Sequence, residues 1–392
     1  MRLVMRLPPV DPAAIAEPQT CPHGCGGQHF KLRQVVTKPL RDTKLATVEA
    51  RRYGCVRCGR TFRVYPQGVS HAQTSARLRG LSVLLYLLGL SYGAVAITLE
   101  ALGHPFSKVA VYNAVQAAGA KVPGLRRDAV QVPPGQRLVA AVGADLTSVK
   151  CAGEWLTVGV SVDALSGAVL TVDVLDSGEA ADLIAWLAEI AAAVGAEVLV
   201  SDDADGFKTA ADATGLVHQV CKAHVVRNTE AWVARMEPAL AEDTDGSLAL
   251  IRADPKQAVA DVQTLLRLVR ERDPTPEAAA DLRTIHRRYR GAPPPRKGEG
   301  ASLAYRLRLF SLDRWQLWDR LTRYRTWASS DGEVLDGTNN TTERAIGWWV
   351  KERYRSMRGY KQKTSVRNVS RLLAWAGNGL KRRGVDLALV VQ

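Results

Sequence analysis

The spacing of apolar residues changes along the chain, and each change predicts a different kind of structure. Up to about residue 70, short strand-like runs such as 48–53 and 61–65 are separated by polar turns. Over 75–120 the apolar residues recur at helical spacing, with breaks near Gly89 and at 103–107. This segment therefore predicts three helices, the last two joined by a short turn.

From residue 138 the pattern predicts alternating strands and helices. Three β-rich runs separated by turns indicate an antiparallel meander, after which helices and apolar strands alternate. The order is three strands, helix, strand, helix and strand, as expected of a ribonuclease-H-like sheet, although other α/β folds share it. The strands are expected at 138–147, 154–164, 167–176, 196–203 and 216–221, and the helices at 179–194 and 205–214.

The rest of the chain is predicted to be mainly helical. Residues 230–330 are rich in Arg, Ala and Leu at helical spacing, with a break at 291–300. A polar turn and a basic helix follow within 338–368, and an apolar helix follows at 369–377.

The charge of the chain narrows the choice of partner. It contains 53 Lys and Arg against 39 Asp and Glu, which gives a formal charge of +14 and a pI near 9.7. Such an imbalance favours a polyanion, so nucleic acid is the first expectation and a membrane surface the second.

An uncharged stretch between Arg79 and Glu100 is long enough to cross a bilayer. Polar and glycine residues in its second half, with Ser91 placed as an N-cap, favour two packed helices instead. Arg2 and Arg6 interrupt the amino terminus, so no signal-peptide core is expected. Since six cysteines are also too few for a disulfide scaffold, we expect a cytoplasmic protein with no membrane partner.

Four of the six cysteines lie in two close pairs, about thirty residues apart. Two thiolates on each of two tight turns suit a tetrahedral zinc ion, so we expect one structural zinc. His23 or His29 is an alternative to one of the sulfurs, and buried free thiols are the alternative to a metal site. The pairs are Cys21-Pro-His-Gly-Cys25 and Cys55-Val-Arg-Cys58.

The two helices joined by the short turn fit a DNA-binding helix-turn-helix. Residues 91–102 would brace it and residues 107–118 would read the major groove. A plain helical connector is the alternative, because the reading face carries few polar or basic residues. Those residues are Lys108, Tyr112, Asn113 and Gln116.

Three acidic residues occupy positions that suit a divalent cation. Asp145 ends the first apolar strand of the predicted sheet, Asp202 ends the fourth, and Glu343 opens a helix just after 338–340. Magnesium prefers hard oxygen ligands, so acids at adjacent strand ends and on a nearby helix suit one or two ions. Taken alone, an acidic residue at such a position is more commonly just a solvent-exposed residue at the end of an element.

Two longer motifs connect these acids to a known family. Asp202 is followed about twenty residues later by Cys221-Lys-Ala-His224, and the tail has Asn residues before Glu343 and a basic helix after it. Both motifs resemble those of bacterial insertion-sequence transposases related to the eukaryotic Mutator elements. With the cysteine pairs, the helix pair and the helical block, the resemblance covers nearly the whole chain.

The resemblance implies a DDE transposase, an enzyme that binds the ends of its own mobile element and cuts and rejoins DNA. Asp145, Asp202 and Glu343 would be its catalytic triad and would hold two magnesium or manganese ions. The implied α/β fold is a ribonuclease-H-like core interrupted by an all-α insertion and preceded by a zinc ribbon and a helix-turn-helix. The expected bounds are ribbon 1–70, helix-turn-helix 71–135, first core part 136–229, insertion 230–335, and last core part with a basic tail 336–392.

The triad positions have competitors. Asp203 is less favoured than its neighbour because the family acid directly follows the small residue that ends the strand, and Asp205 is expected to cap the next helix. Asp163 and Asp173 compete for the first position, for which Asp145 is favoured because the family's first acid lies on the first strand.

Cys221 and His224 are expected to support the active site, where the histidine would contact a DNA phosphate or support the second acid. One Cys-x-x-His pair cannot complete a zinc site alone, and Cys151 is a speculative third ligand. The alternative is a packed strand-to-helix turn.

The basic tail is expected to bind DNA. Its cations would neutralise phosphates and its aromatic rings would stack on unpaired bases, while a solvated basic helix with some buried aromatics is the alternative. The cations are Arg344, Lys351, Arg353, Arg355, Arg358, Lys361, Lys363 and Arg367, and the aromatics are Trp348, Trp349, Tyr354 and Tyr360.

Transposition is therefore the expected function, with the element's terminal inverted repeats and target DNA as partners. A homodimer is expected because two element ends must be brought together. A nuclease or junction-resolving enzyme on the same fold is one alternative. A zinc-ribbon and helix-turn-helix regulator that binds DNA without catalysis is the other.

Overall fold

The expected mixed α/β class is confirmed by the computed structural model, which describes residues 5–125, 139–353, 360–382 and 384–391. The described residues form a two-stranded, a three-stranded and a five-stranded sheet, together with helices that flank them or form a core of their own.

The three-stranded sheet lies near the amino terminus and is antiparallel, with strand order β2-β3-β4. Apart from the cysteines, its buried apolar residues are few: Val48, Ala50 and Tyr53 of β3, with Val10 and Leu40 packed beside the sheet. Apolar burial alone therefore contributes little to the stability of this region. The strands are β1 (Met5–Arg6), β2 (Phe30–Pro39), β3 (Thr47–Cys55) and β4 (Thr61–Val64), and β1 pairs in parallel with β10 (Val385–Asp386).

Three helices follow, as the spacing predicts: α1 (Ala76–Leu87), α2 (Tyr92–Ala101) and α3 (Lys108–Lys121). Each begins after a serine whose hydroxyl accepts a hydrogen bond from the backbone N–H three residues later. These N-caps, at Ser75, Ser91 and Ser107, satisfy donors that a helix start leaves unpaired. The uncharged stretch is thus two short helices, and none of the helices in the described residues is long and apolar enough to span a membrane.

The five-stranded sheet has the order β7-β6-β5-β8-β9. Strand β6 is antiparallel to both of its neighbours, whereas β8 and β9 run parallel to β5. The helices α4 and α5 pack together beside it, so the predicted sequence of strands and helices is present. The elements are β5 (Ala141–Cys151), β6 (Glu154–Asp163), β7 (Val169–Val174), α4 (Ala180–Val194), β8 (Val198–Ser201), α5 (Asp205–Thr214) and β9 (Val217–Val220).

The predicted helical block is present and has its own apolar core. The expected boundary at 229/230 falls inside α6, because this helix continues from the end of β9 into the block. The predicted break at 291–300 lies between α9 and α10. The helices are α6 (Lys222–Glu242), α7 (Ser247–Leu250), α8 (Pro255–Glu271), α9 (Pro276–Tyr289) and α10 (Leu303–Thr326).

The carboxy-terminal segment returns to the sheet. Helix α11 (Asn340–Ala345) continues into a π-helical turn (Ile346–Lys351), and α12 (Lys363–Arg382) packs against both β7 and α3 before α13 (Ala388–Val391). Consequently α1–α3 share one hydrophobic core with the sheet and α12 rather than forming a core of their own. The expected boundary at 135/136 lies outside the described residues.

Candidate functional site

The two cysteine pairs meet at one point. The sulfur atoms of Cys21, Cys25, Cys55 and Cys58 all lie within 4.8 Å of one another. Two of the separations are 3.8 Å (Cys21 to Cys58) and 3.7 Å (Cys25 to Cys55). Four sulfurs bound tetrahedrally to zinc at about 2.3 Å would lie about 3.8 Å apart, so the cluster matches a zinc site.

Glycines shape both turns of this cluster. Gly26 and Gly59 directly follow a cysteine and have φ angles of +68° and +70°, which side chains with a Cβ disfavour. At Gly27 a Cβ would lie 2.7 Å from the Cys55 sulfur, so only glycine fits there. Hydrogen bonds, first of all from the backbone N–H of Cys58, lower the pKa of the Cys55 thiol to about 7, whereas burial raises the pKa of the Cys21 thiol to about 12. The ring nitrogen Nε2 of His23 lies 3.3 Å from the carbonyl oxygen of Thr61, outside the sulfur cluster.

Asp202 directly follows the end of β8, but Asp145 lies within β5, which continues to Cys151, so the expectation that Asp145 ends its strand is wrong. In the parallel pairing of β5 with β8, Gly143 stands opposite Val200, so the same register carried two residues further sets Asp145 beside Asp202. Both side chains are half-buried. The two carboxylates thus share one edge of the parallel part of the sheet, where β8 ends beside the middle of β5.

Glu343 reaches the same edge because the start of α11 docks on β5. The side-chain amide of Asn339 donates to the carbonyl oxygen of Ala144 at 3.1 Å. Gly143 makes this approach possible, since a Cβ there would collide with the Thr342 hydroxyl. Helix α11 is therefore held against Gly143 and Ala144, the two residues that precede Asp145.

The electrostatics of Asp145 reflect this crowding. The pKa of its carboxyl is raised from 3.8 to about 6: burial is the largest cause, the charges of Asp202 and Glu343 also raise it, and the N–H of Leu146 and His224 lower it. The three acids therefore share one electrostatic environment. Among the described residues, however, the cysteine cluster is the group of metal-ligating side chains close enough to hold an ion, and the three carboxylates do not form such a group.

We expect Asp145→Asn to stabilise the protein at pH 7 when no divalent cation is added. The folded pKa lies above the unfolded one, so the folded state holds this proton more tightly and stability falls as the pH rises from about 4 through about 6. Removing the charge should raise the free energy of unfolding by about 1–2 kcal/mol at pH 7, after allowance for partial solvent screening. Urea unfolding at pH 7 and pH 4 measures this, and a variant less stable than its parent at pH 7 would contradict it.

The neighbouring acids of β8 have other partners. Asp203 pairs with Lys208 at 2.9 Å and with Arg314 at 3.5 Å. Asp205 is exposed and is the first residue of α5, whose N-cap is Ala204, so the expectation that Asp205 caps the helix is wrong. Its carboxylate instead pairs with Lys208 within the first turn.

The two competitors for the first acid also have structural partners. Asp163 accepts hydrogen bonds from the N–H of Leu165 and the hydroxyl of Ser166, which closes the turn after β6. Asp173 accepts from the indole N–H of Trp186 at 2.9 Å.

Cys221 and His224 both contact the segment that carries Glu343. The Cys221 sulfur accepts from the N–H of Asn339 at 3.2 Å, and His224 Nε2 lies 3.6 Å from Glu343 Oε1. The other ring nitrogen of His224 is buried without a hydrogen-bond partner in the described part of the chain. Cys151 lies six residues beyond Asp145 on β5, about 20 Å away, which is too far for a shared ligand set.

The tail cations do not share one environment. Arg353 is buried, donates to the carbonyl oxygen of Leu87 and stacks over Tyr86, so no phosphate reaches it in this structure. Arg355 and Arg358 lie outside the described residues, as does Tyr354. The exposed members are Arg344, Lys351, Lys361, Lys363 and Arg367.

The tail aromatics divide in the same way. Trp348 is 71% exposed, whereas Tyr360 is 9% exposed and forms a β-bridge with Cys151. Trp349 packs against the core that α12 shares with the sheet. Of these three, only Trp348 is open to a base.

The proposed reading helix, α3, uses part of its polar face inside the protein. The Tyr112 hydroxyl lies 2.8 Å from that of Ser365, and the Gln116 side chain accepts from Asn368 at 3.1 Å. Lys108 and Asn113 remain exposed. Fewer α3 side chains are therefore available to contact a DNA major groove than the sequence indicates.

Sequence reasoning missed a groove of about 630 Å³, which is lined by β5 residues from Leu146 onward. It runs between β5, β6 and the π-helical turn, and the indole of Trp155, which is 63% exposed, forms one wall. An exposed tryptophan within a strand is the signal in the sequence that points to it. The other lining residues are Leu146, Thr147, Ser148, Thr157, Gly178, Val350 and Lys351.

Comparison of the chain with protein-family models and with curated proteins finds no match. The functional interpretation therefore depends on the chain's own geometry and on the motif resemblance.

Proposed function

We propose that this protein is a DDE transposase that binds the ends of its own element and carries out metal-dependent DNA strand cleavage and strand transfer on a ribonuclease-H-like core. The observation that carries the proposal is the common edge shared by Asp145, Asp202 and Glu343, which come from β5, β8 and α11. The strand order, with one antiparallel meander and two parallel strands added beside β5, supports the ribonuclease-H-like assignment.

The donor set at this edge suits magnesium or manganese. All three ligands are carboxylates, the hard donors these ions prefer. The pKa of Asp145 is raised mainly by burial and also by the charges of Asp202 and Glu343, which a divalent cation would neutralise. When bound, such ions lower the pKa of water and stabilise charge on a phosphate.

The chain's own residues would position the DNA and the acids. Asn339 holds α11 against β5, and His224 lies close enough to Glu343 to orient its carboxylate and to hold a proton there. The Trp155 groove, which Lys351 and the residue after Asp145 help to line, would hold the strand next to the cut. No side-chain nucleophile is needed, since water and then the freed 3′-hydroxyl would attack phosphorus.

The same proposal gives the other partners. A synaptic complex of two element ends requires two copies of the chain, so a homodimer on DNA is expected, acting at the bacterial nucleoid. Zinc would have a structural role, because four cysteine ligands leave no open position on the ion.

An excision assay tests the proposal. The full chain with Mg²⁺ is offered duplexes that carry the terminal repeats of its element, duplexes with scrambled ends, and four-way junctions. We expect cutting at the repeat ends and joining of the freed 3′-ends to a target plasmid. Cutting of junctions without any need for repeats would assign a nuclease, and binding with no Mg²⁺-dependent cutting would assign a regulator.

A further inference from the structure

The zinc-binding region carries most of the chain's net charge. Residues 21–65 contain ten Lys and Arg but only two acids, a formal charge of +8 out of +14 for the whole chain. The acids are Asp42 and Glu49. Asp42 is buried and pairs with Arg77 of α1 at 2.9 Å, so it is not available to the surface of the sheet.

The cations are gathered on one face of the three-stranded sheet. Arg52 of β3 stands opposite Gln34 on β2 and Arg63 on β4, and side chains at paired positions point to the same face. Arg33, at an irregularity in β2, lies over Gly54 on this face, since a Cβ on Gly54 would be 3.0 Å from its guanidinium nitrogen.

Two lysines extend the same face. Lys31 is paired with Gly54, and Lys38 lies four residues beyond Gln34 along β2, with its pKa lowered by burial and by the charge of Arg63. We call the set Lys31, Arg33, Lys38, Arg52 and Arg63 the basic sheet face.

No carboxylate forms an ion pair with the basic sheet face anywhere in the described part of the chain. Glu49 pairs with Thr37 and therefore projects from the opposite face. The Arg52 guanidinium donates to the neutral Thr61 hydroxyl at 3.0 Å, which fixes its orientation without cancelling its charge.

We propose that the basic sheet face binds the sugar–phosphate backbone of duplex DNA. Strands about 4.8 Å apart set the arginines within one Debye length of one another, so their charges act together on a polyanion. Three of the five cations are arginines, whose planar forks match phosphate oxygens. The exposed apolar residues Leu32 and Val35 lie on the opposite face, which favours a nucleic acid over a membrane here.

The proposal assigns to the zinc region a contact surface separate from the tail and from α3. It adds a DNA contact to the proposed function but does not depend on strand cleavage, because binding can be measured without added magnesium. If the protein proved not to cleave DNA, the salt dependence predicted for this contact would still hold.

The test is the salt dependence of binding by the full chain to a labelled 30-base-pair duplex, followed by fluorescence anisotropy. The variant Arg33→Gln/Arg52→Gln/Arg63→Gln should lower the slope of log affinity against log salt by about 3, at about 0.9 per phosphate contact. Affinity near 0.1 M salt should fall at least about tenfold. The matched control, Arg235→Gln/Arg287→Gln/Arg290→Gln, removes three exposed charges from α6, α9 and the residue after α9.

Zinc content and melting temperature establish that both variants are folded, and the corresponding arginine-to-lysine triple variant should keep most of the slope. A sheet-face variant with the same slope as the control overturns the proposal. Loss of binding to phosphatidylserine vesicles with an unchanged DNA slope also overturns it, and would assign the face to an anionic membrane.

Discussion

Replacing Cys55 by serine is expected to unfold the three-stranded sheet and abolish stoichiometric zinc binding. The sheet buries only a few apolar side chains, so metal–thiolate bonds must supply much of its stability. Structural zinc contributes roughly 10–16 kcal/mol in small zinc domains. The central sheet and the helical block have separate apolar cores, so they should stay folded.

Zinc per chain and hydrogen exchange of residues 30–64 measure this result. The control is Cys151→Ala, which removes a buried thiol outside the cluster and should leave one zinc per chain. A Cys55→Ser protein that keeps one zinc per chain and a protected sheet would contradict a four-cysteine site.

Asp202→Asn is expected to lower the rate of Mg²⁺-dependent strand cleavage at least about 10³-fold. The amide has the same size but no charge, so the loss of one metal ligand should cost about 4 kcal/mol of transition-state stabilisation. DNA affinity should stay within about twofold, because no phosphate-binding cation is changed. Glu343→Gln, which removes the acid on α11, should lower the cleavage rate by a similar factor.

The control for charge alone is Asp205→Asn, an exposed acid three residues further along whose partner is Lys208. It should cut at the parental rate. Parental cutting by Asp202→Asn, or equal losses in Asp202→Asn and Asp205→Asn, would remove Asp202 from the chemistry.

Local signals in the sequence predict much of the fold. Serine N-caps define the starts of α1, α2 and α3, and cysteine spacing predicts the sulfur cluster. The strand pattern predicts that Asp202 follows the end of β8, but it does not predict that β5 continues six residues beyond Asp145.

Local sequence patterns could not predict the contacts between residues far apart in the chain. Glu343 joins the edge through a hydrogen bond between Asn339 and Ala144, 195 residues apart in the chain. Arg353 has the sequence signature of a surface cation but is buried against α1, where it donates to the carbonyl oxygen of Leu87 and stacks over Tyr86. Likewise, α12 forms hydrogen bonds with polar side chains of α3 that the helical pattern predicts to be exposed.

Titration of Mn²⁺ into the full chain, followed by the paramagnetic signal of the free ion, tests most directly whether the three acids hold divalent cations together. Asp145→Asn, Asp202→Asn and Glu343→Gln should each weaken Mn²⁺ binding at least about tenfold, with zinc content unchanged and Asp205→Asn equal to the parent. Mn²⁺ binding that all three substitutions leave at the parental affinity would contradict a shared cation site at this edge of the sheet.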